Sequence, residues 1–238
     1  MKNREYFTFG GISSLDFHIW IQNPHSENAP ERDVEFITIP GKTGELIIDH
    51  NRWKNVKIPY DLAISKQFIE NFRGFKRALM SKRGFHKLEN SFEPDVYRLA
   101  TVYQTIEPNT SPQHKAGVFT VVFDCKPQRF LKTGTEPIRF TAPDRLHNLT
   151  GYPAQPLIRV EYSGEGELRI GDRTVKLYDT AAGKLTIDCE AMDAYRGDEP
   201  MNHLIGCEKF PVLEAGSNVI SWTGGITAVE ITPRWWVL

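Results

Sequence analysis

The sequence lacks an excess of charge of either sign. Its 238 residues include 29 Lys and Arg against 30 Asp and Glu, so the net charge is −1 at pH 7. Binding to nucleic acid or to an anionic membrane surface usually requires a basic footprint. No apolar run approaches the roughly 20 residues that a membrane-spanning helix needs. We therefore expect neither nucleic acid nor a membrane among the partners of this chain.

Cysteine is also scarce. Cys125, Cys189 and Cys207 include no CxxC pair, and an odd count does not suit a closed disulfide framework. The seven histidines are scattered, with no close pair at metal-ligand spacing. We expect three reduced thiols that pack as small hydrophobes, and neither a metal site nor a cofactor.

Recognisable catalytic motifs are missing as well. Residues 40–43 resemble the end of a phosphate-binding loop, but Phe36 stands where its first glycine is required, and a strand-like segment follows. Asp188, Glu190 and Asp193 could hold calcium, yet the absence of an Asp-x-Asp-x-Asp-Gly loop favours a solvated turn. We predict no catalytic residue. A hydrolase whose carboxylates meet only on folding is the disfavoured alternative.

Short strand patterns separated by turn residues fill most of the chain. Residues 36–39 and 45–49 flank a glycine-containing loop and predict a hairpin, and residues 55–60 alternate as a half-buried strand does. The second half is almost wholly strand-like, with turns predicted near Gly164, Gly166 and Gly183. These patterns predict a mainly β protein that ends in an antiparallel β-sandwich.

One segment has helical instead of strand periodicity. Apolar residues from Phe68 to Leu79 fall on one face, which predicts a helix over residues 65–83 that lies across the first sheet. Ser65 is the predicted N-cap, and Gly74 is predicted to mark close packing. A polar stretch near residues 126–137 predicts a boundary between domains 1–133 and 134–238.

The chain carries these motifs in order: Phe7-x-Phe9-Gly10-Gly11-x-Ser13-Ser14-x-Asp16-Phe17-x-Ile19, Arg32–Glu35, Ile39–Leu46, Asn55–Tyr60, Pro94–Ala100 and the ending from Ile187 to Leu238. Together they resemble the distal tail protein (Dit) family of long-tailed siphophages. The resemblance covers nearly the whole chain in order. A histidine, His18, follows Asp16-Phe17 where a glycine often stands in the family, which affects a local turn.

The resemblance implies a structural role in a virion. Members of the family form a hexameric ring at the far end of the tail and join the tail tube to the baseplate or tip. It implies a ring-forming N-terminal domain, with a helix across its sheet, and a C-terminal sandwich similar to galectin or carbohydrate-binding folds. The implied partners are further copies of the chain, the tail tube protein, a tail-associated tip protein and a receptor-binding protein. The implied location is the distal tail of the virion, after synthesis in the host cytoplasm.

Two sets of candidate site residues follow. We hypothesise that the hairpin around residues 40–44 and the strand 55–60 contribute to ring contacts, through Glu45, Lys57 and Tyr60. The alternative function is a carbohydrate-binding module that recognises host cell-wall glycan through an exposed indole. Its candidates are Trp222, Trp235 and Trp236, of which the last two should point to opposite faces of a strand.

Overall fold

The computed structural model describes residues 4–22, 28–110 and 115–238, and the chain forms two compact units. The first unit contains the residues up to Arg129 together with Leu238, and the second contains Phe130–Val237. Nearly all regular structure is β, and one α-helix occurs among the described residues. The predicted mainly β fold with a single helix is confirmed.

The first unit is an antiparallel sheet with the helix packed against it. Its main sheet has the strand order β2-β1-β7-β8-β10-β6-β3, and β9 also pairs with β10. A separate two-stranded sheet consists of β4 and β5. In chain order the elements are β1 (Phe7–Phe9), β2 (Ile12–Ser13), β3 (Ile19–Ile21), β4 (Arg32–Thr38), β5 (Glu45–Trp53), β6 (Val56–Ile64), α1 (Phe68–Met80), β7 (His86–Asn90), β8 (Val96–Thr101), β9 (Pro108–Thr110) and β10 (Gly117–Leu131), whose last two residues belong to the second unit.

Alternation along β6 and β10 builds the core of this unit. The inward residues of β6 are Val56, Ile58, Tyr60, Leu62 and Ile64, all buried, while Lys57 and Pro59 face outwards. The adjacent strand β10 contributes Phe119, Val121 and Phe123, which pair in register with β6. Period-two alternation therefore decides which side of the sheet becomes the core.

The helix α1 is shorter than its pattern predicts. It spans Phe68–Met80, and its N-cap is Gln67 in the left-handed conformation (φ 46°, ψ 51°), so the predicted N-cap at Ser65 is wrong. The left-handed residue breaks helical geometry before position 68. The predicted apolar stripe is confirmed by the burial of Phe68, Phe72, Phe75 and Leu79, although Ile69 is exposed.

Close packing at Gly74 is also confirmed. A Cβ at this position would lie 3.2 Å from Cε1 of Phe17, so the missing side chain admits the phenylalanine ring. On the buried side of the helix, the rings of Phe72 and Phe75 meet Phe119 with centroids 5.0 and 5.9 Å apart. At 13 residues, α1 is too short to cross a bilayer, and no longer helix occurs in the described ranges.

The second unit is a curled antiparallel sheet around a second core. Its strand order is β11-β19-β13-β15-β16-β17, with β12 on β19 and β14 between β13 and β18. The elements are β11 (Ile138–Phe140), β12 (Asp144–Asn148), β13 (Leu157–Ile170), β14 (Arg173–Leu177), β15 (Gly183–Asp188), β16 (Asp193–Arg196), β17 (Glu199–Pro200), β18 (Ile205–Gly206), β19 (Gly216–Thr232) and β20 (Trp236–Val237).

Two long strands make the sheet curl. β13 pairs with β15 through its first half and with β14 through its second half, while β19 follows it along its length. The register shifts between Tyr162 and Gly166. The turn predicted at Gly164 and Gly166 is therefore wrong, because the chain bends there within one continuous strand. A Cβ on Gly166 would lie 2.6 Å from the carbonyl oxygen of Thr223, so glycine permits the close approach at the bend.

Candidate assembly surface

The β4–β5 hairpin of the first unit exposes several large apolar side chains. The two strands pair only with each other among the described residues, in a register that sets Phe36 opposite Ile47 and Ile37 opposite Leu46. The connecting turn uses Gly41 and Gly44 at φ 79° and 87°, a region that favours glycine. An isolated two-stranded hairpin is marginally stable in water. Something beyond its own backbone pairing must therefore stabilise it.

Both faces of this hairpin are apolar and exposed. Phe36 and Ile47 share one face and are 56% and 58% exposed. The opposite face presents Leu46 and Ile48, which are also exposed. Consecutive apolar residues on both faces are typical of a strand that is covered on both sides. The run of apolar residues in the sequence thus contained the signal for this surface, although the only hairpin residue predicted to make ring contacts was Glu45.

Charged pairs hold the other end of the hairpin. Three ion pairs cross between the strands or their extensions: Arg32 to Asp49 at 2.5 Å, Arg52 to Asp33 at 2.5 Å and Lys54 to Glu31 at 3.0 Å. The hydrogen bond from Arg52 lowers the pKa of the Asp33 carboxyl below its ordinary value. Arg32 also lies over the Trp53 ring, 5.3 Å from its centroid. The polar base and the apolar half near the turn form two chemically distinct zones.

The three predicted ring-interface residues occupy different environments. Glu45 is exposed at the start of β5 and accepts a hydrogen bond from the Thr38 hydroxyl at 3.2 Å. Lys57 is exposed on the outer side of β6. Tyr60 is only 1% exposed, so within the folded chain its side chain is not accessible to a neighbouring subunit.

Tyr60 instead organises the first core. Its ring stacks on Phe7 at 5.6 Å and meets Phe123 edge-on at 5.2 Å. Its hydroxyl donates to Oδ1 of Asn90 at 2.8 Å. Burial raises the pKa of the phenol well above its ordinary value. Tyr60 is therefore a core residue that stabilises the sheet.

The three candidate tryptophans all pack against the second core. Trp235 is 9% exposed and Trp222 is partly buried. Trp236 is half-buried, stacks on Tyr152 at 4.6 Å and donates from Nε1 to the carbonyl oxygen of Pro153 at 3.0 Å. None of the three presents the freely exposed indole face on which the glycan hypothesis depended. Their predicted glycan contact stays a prediction.

The acidic cluster near residue 188 is built as a turn with an ion pair. Both carboxylate oxygens of Asp188 accept from the Arg234 guanidinium, at 2.7 and 2.9 Å. Oδ1 also accepts from the backbone N–H groups of Glu190 and Ala191. These donors, Arg234 first, lower the pKa of Asp188. In the described residues, no group of three His, Cys, Asp or Glu side chains has the arrangement of a metal site.

The cysteines have the environment of packing residues. All three thiols are free, and Cys125 and Cys189 are buried. Burial raises the pKa of both buried thiols to about 12. A thiol reacts as its thiolate, so these two groups are inert at neutral pH.

The fold, with its helix-bearing first sheet and curled second sheet, is the one found in phage hub and baseplate proteins. The crystal structure of SPP1 Dit, described as a paradigm of the hub adsorption apparatus in phages that infect Gram-positive bacteria, has a TM-score of 0.76 to this chain. The match covers 98% of this chain and 99% of the SPP1 protein at 15% sequence identity. The chain therefore has the fold of the Dit protein, whose family its sequence motifs resemble.

Two further similar structures come from one baseplate. They are the phage P2 baseplate in its activated conformation with Ca and with Sr, with TM-scores of 0.54 and 0.52. The identities are 10% and 9%, and each match covers 96% of this chain and 97% of the other. No protein-family model and no curated protein sequence matches the chain significantly.

Proposed function

We propose that this chain is a structural hub of a phage tail, which forms a hexameric ring at the distal end. The ring links the tail tube to the baseplate or tip and to the receptor-binding apparatus of the virion. The observation that carries the proposal is the correspondence with SPP1 Dit over 98% of this chain and 99% of that one. Its partners are other copies of the chain, the tail tube protein, the tip protein and the receptor-binding protein.

The two domains have different roles in the proposed ring. Domain 1–133 forms the ring, and domain 134–238 presents a β-rich surface to the receptor-binding partner. The role is architectural and assigns no catalytic residue, metal or cofactor.

The β4–β5 hairpin is an argument for the ring, because its side chains are apolar on both faces and yet are exposed in the isolated chain. Strands that are apolar on both faces need cover on both faces, yet Phe36, Leu46 and Ile47 are about half exposed or more. A neighbouring copy of the chain supplies this cover without any new partner. If the hairpin contacts a different surface on the neighbour, the contact is heterologous, and such contacts form a ring when the rotation between neighbours closes.

The ring contact combines this apolar zone with the polar residues beside it. Glu45 begins β5 next to the apolar residues, and Lys57 is exposed on β6, the next strand along the chain. Both are free to face another subunit, and Tyr60 supports the sheet from inside. The hairpin thus supplies the apolar contact, and charged residues at its margin select the partner surface.

The test is the mass of the purified full chain in solution. Light scattering coupled to size exclusion, at several concentrations, should give about 163 kDa for six copies of the 27.2 kDa chain, or twice that for two stacked rings. Electron micrographs of the same sample should show sixfold ring views. A 27.2 kDa monomer at every concentration would contradict a self-assembling ring.

A further inference from the structure

The outer face of α1 concentrates positive charge in a chain whose net charge is only −1. Residues 65–88 contain seven lysines and arginines and one glutamate, whereas the whole chain has 29 basic and 30 acidic residues. Arg73, Lys76 and Arg77 are exposed and lie on one stripe of the helix, at spacings of three and four residues. None of the three forms an ion pair with another residue that the structure describes. Like charges at this spacing destabilise a helix, so the stripe favours contact with an acidic surface.

Met80 continues this stripe and gives it an apolar end. Its side chain is 45% exposed, and together with the three cations it lines a shallow groove of about 460 Å³. Lysine and arginine contribute their hydrocarbon stems to such a groove and keep their charged ends at its rim. The groove therefore suits an apolar side chain that has a carboxylate beside it.

One face of the β4–β5 hairpin has this composition. Phe36 and Ile47 lie opposite each other on it, and the next pair on the same face is Thr38 and Glu45. Glu45 is exposed, and no described cation forms an ion pair with it. The hairpin therefore presents two large apolar side chains with one carboxylate next to them. In the isolated chain, neither this face nor the helix stripe is covered.

The two surfaces also match in spacing. Along β5, Glu45 and Ile47 are two residues apart, which corresponds to about 7 Å. Along α1, Lys76 and Met80 are four residues apart, which corresponds to about 6 Å. A hairpin that sets Ile47 against Met80 therefore brings the Glu45 carboxylate to the Lys76 ammonium group. Phe36 then lies beside the stripe, where an arginine guanidinium can stack on its ring.

We propose that this hairpin face binds the outer face of α1 on a neighbouring copy of the chain. The inference rests on the proposed ring and names the surface that the hairpin contacts there. Hairpin and helix are different surfaces, so the contact is heterologous and each copy has one of each to offer. Apolar contact at Met80 contributes affinity, and the opposite charges of Glu45 and Lys76 select this surface over the more acidic remainder of the chain.

Disulfide cross-linking of the full chain tests the contact directly. The variant Ile47→Cys/Met80→Cys is made in a Cys207→Ser background, and the other two native thiols, Cys125 and Cys189, are buried. After mild oxidation, a non-reducing gel should show a ladder that ends at six linked chains. Each single variant should stay unlinked. A mixture of the two single variants should stop at linked pairs, because each chain then has only one reactive end.

Charge reversal gives a second measurement that needs no new covalent bond. Glu45→Lys should weaken the subunit contact about tenfold or more in a light-scattering dilution series, because it sets like charges against each other. Lys76→Glu added to the same chain should restore most of that loss. The matched control is Arg145→Glu, which reverses an exposed cation of the second unit and should restore nothing.

Two outcomes would overturn this contact even if the wild-type chain forms the ring. One is the absence of both the ladder and the rescue. The other is linkage in a single variant as strong as in the double variant, which would show a contact between like surfaces. A wild-type chain that stays monomeric at every concentration would contradict the ring itself and the contact with it.

Discussion

Replacing Phe36 and Ile47 together with serine should dissociate the proposed ring without unfolding the chain. The two side chains face each other across the hairpin and are 56% and 58% exposed. Complete burial of one such side chain contributes about 1.5–3 kcal/mol. A neighbour that covers the remaining half of both therefore contributes about 2–3 kcal/mol per contact.

That energy corresponds to a roughly 30- to 140-fold weaker subunit contact in the double variant. The assay is light scattering over a dilution series, with circular dichroism and thermal unfolding to confirm the fold. Because both positions are more than half exposed, the free energy of unfolding of an isolated chain should change by no more than about 0.5 kcal/mol.

Leu149→Ser is the matched control for this experiment. Leu149 is apolar and 90% exposed, but it lies in the second unit, outside the proposed ring domain. It should leave the dissociation curve unchanged. A double variant that dissociates at the wild-type concentration would refute the argument that the hairpin is covered by a neighbour.

Three further predictions concern the folded units. Tyr60→Ala should lower the free energy of unfolding by about 3–5 kcal/mol, the usual cost of removing a buried aromatic ring, whereas the exposed Lys57→Ala should stay within about 0.5 kcal/mol in the same urea titration. Asp188→Asn should destabilise the chain at pH 7, and its deficit should shrink below about pH 4. The lowered Asp188 pKa gives stability that is present above the ordinary carboxyl pKa and is lost as the pH falls through the lowered one, so a pH-independent deficit would contradict its ionic origin. Gly134→Ala should destabilise the second unit by about 1–3 kcal/mol, because a Cβ there would lie against the backbone at position 235. The control Gly151→Ala, where a Cβ meets open space, should be near neutral, and thermal unfolding measures both variants.

The local patterns of the chain predicted most of the elements. The apolar stripe from Phe68 to Leu79 predicted the helix, and alternation in residues 55–60 predicted β6. The boundaries were less accurate because they depend on backbone conformations that composition does not reveal. The helix begins at Phe68 and not near Ser65, because Gln67 adopts the left-handed conformation. No capping motif in the sequence indicates this start. Glycine suits both a turn between strands and a bend within one strand, so Gly164 and Gly166 alone did not distinguish the two.

The candidate surfaces were harder to predict than the elements. Tyr60 and Lys57 are three residues apart on one strand, yet opposite faces of the strand make one a core residue and the other a surface residue. Trp222, Trp235 and Trp236 are aromatic residues in a β-rich domain, which suits both sugar binding and core packing. Only the positions of their neighbours, such as Tyr152 beneath Trp236, distinguish the two.

The sequence by itself determined the class of the fold, because hydrophobic periodicity is a local property that each segment expresses regardless of its partners. It also contained a hairpin that is apolar on both faces. The tertiary structure decided that the chain leaves both of those faces uncovered, and it brought Tyr178 onto Gly206 beside Arg173 to form a cleft. Exposure and proximity arise from contacts between distant segments, so they exist only once the sheets have closed around their cores.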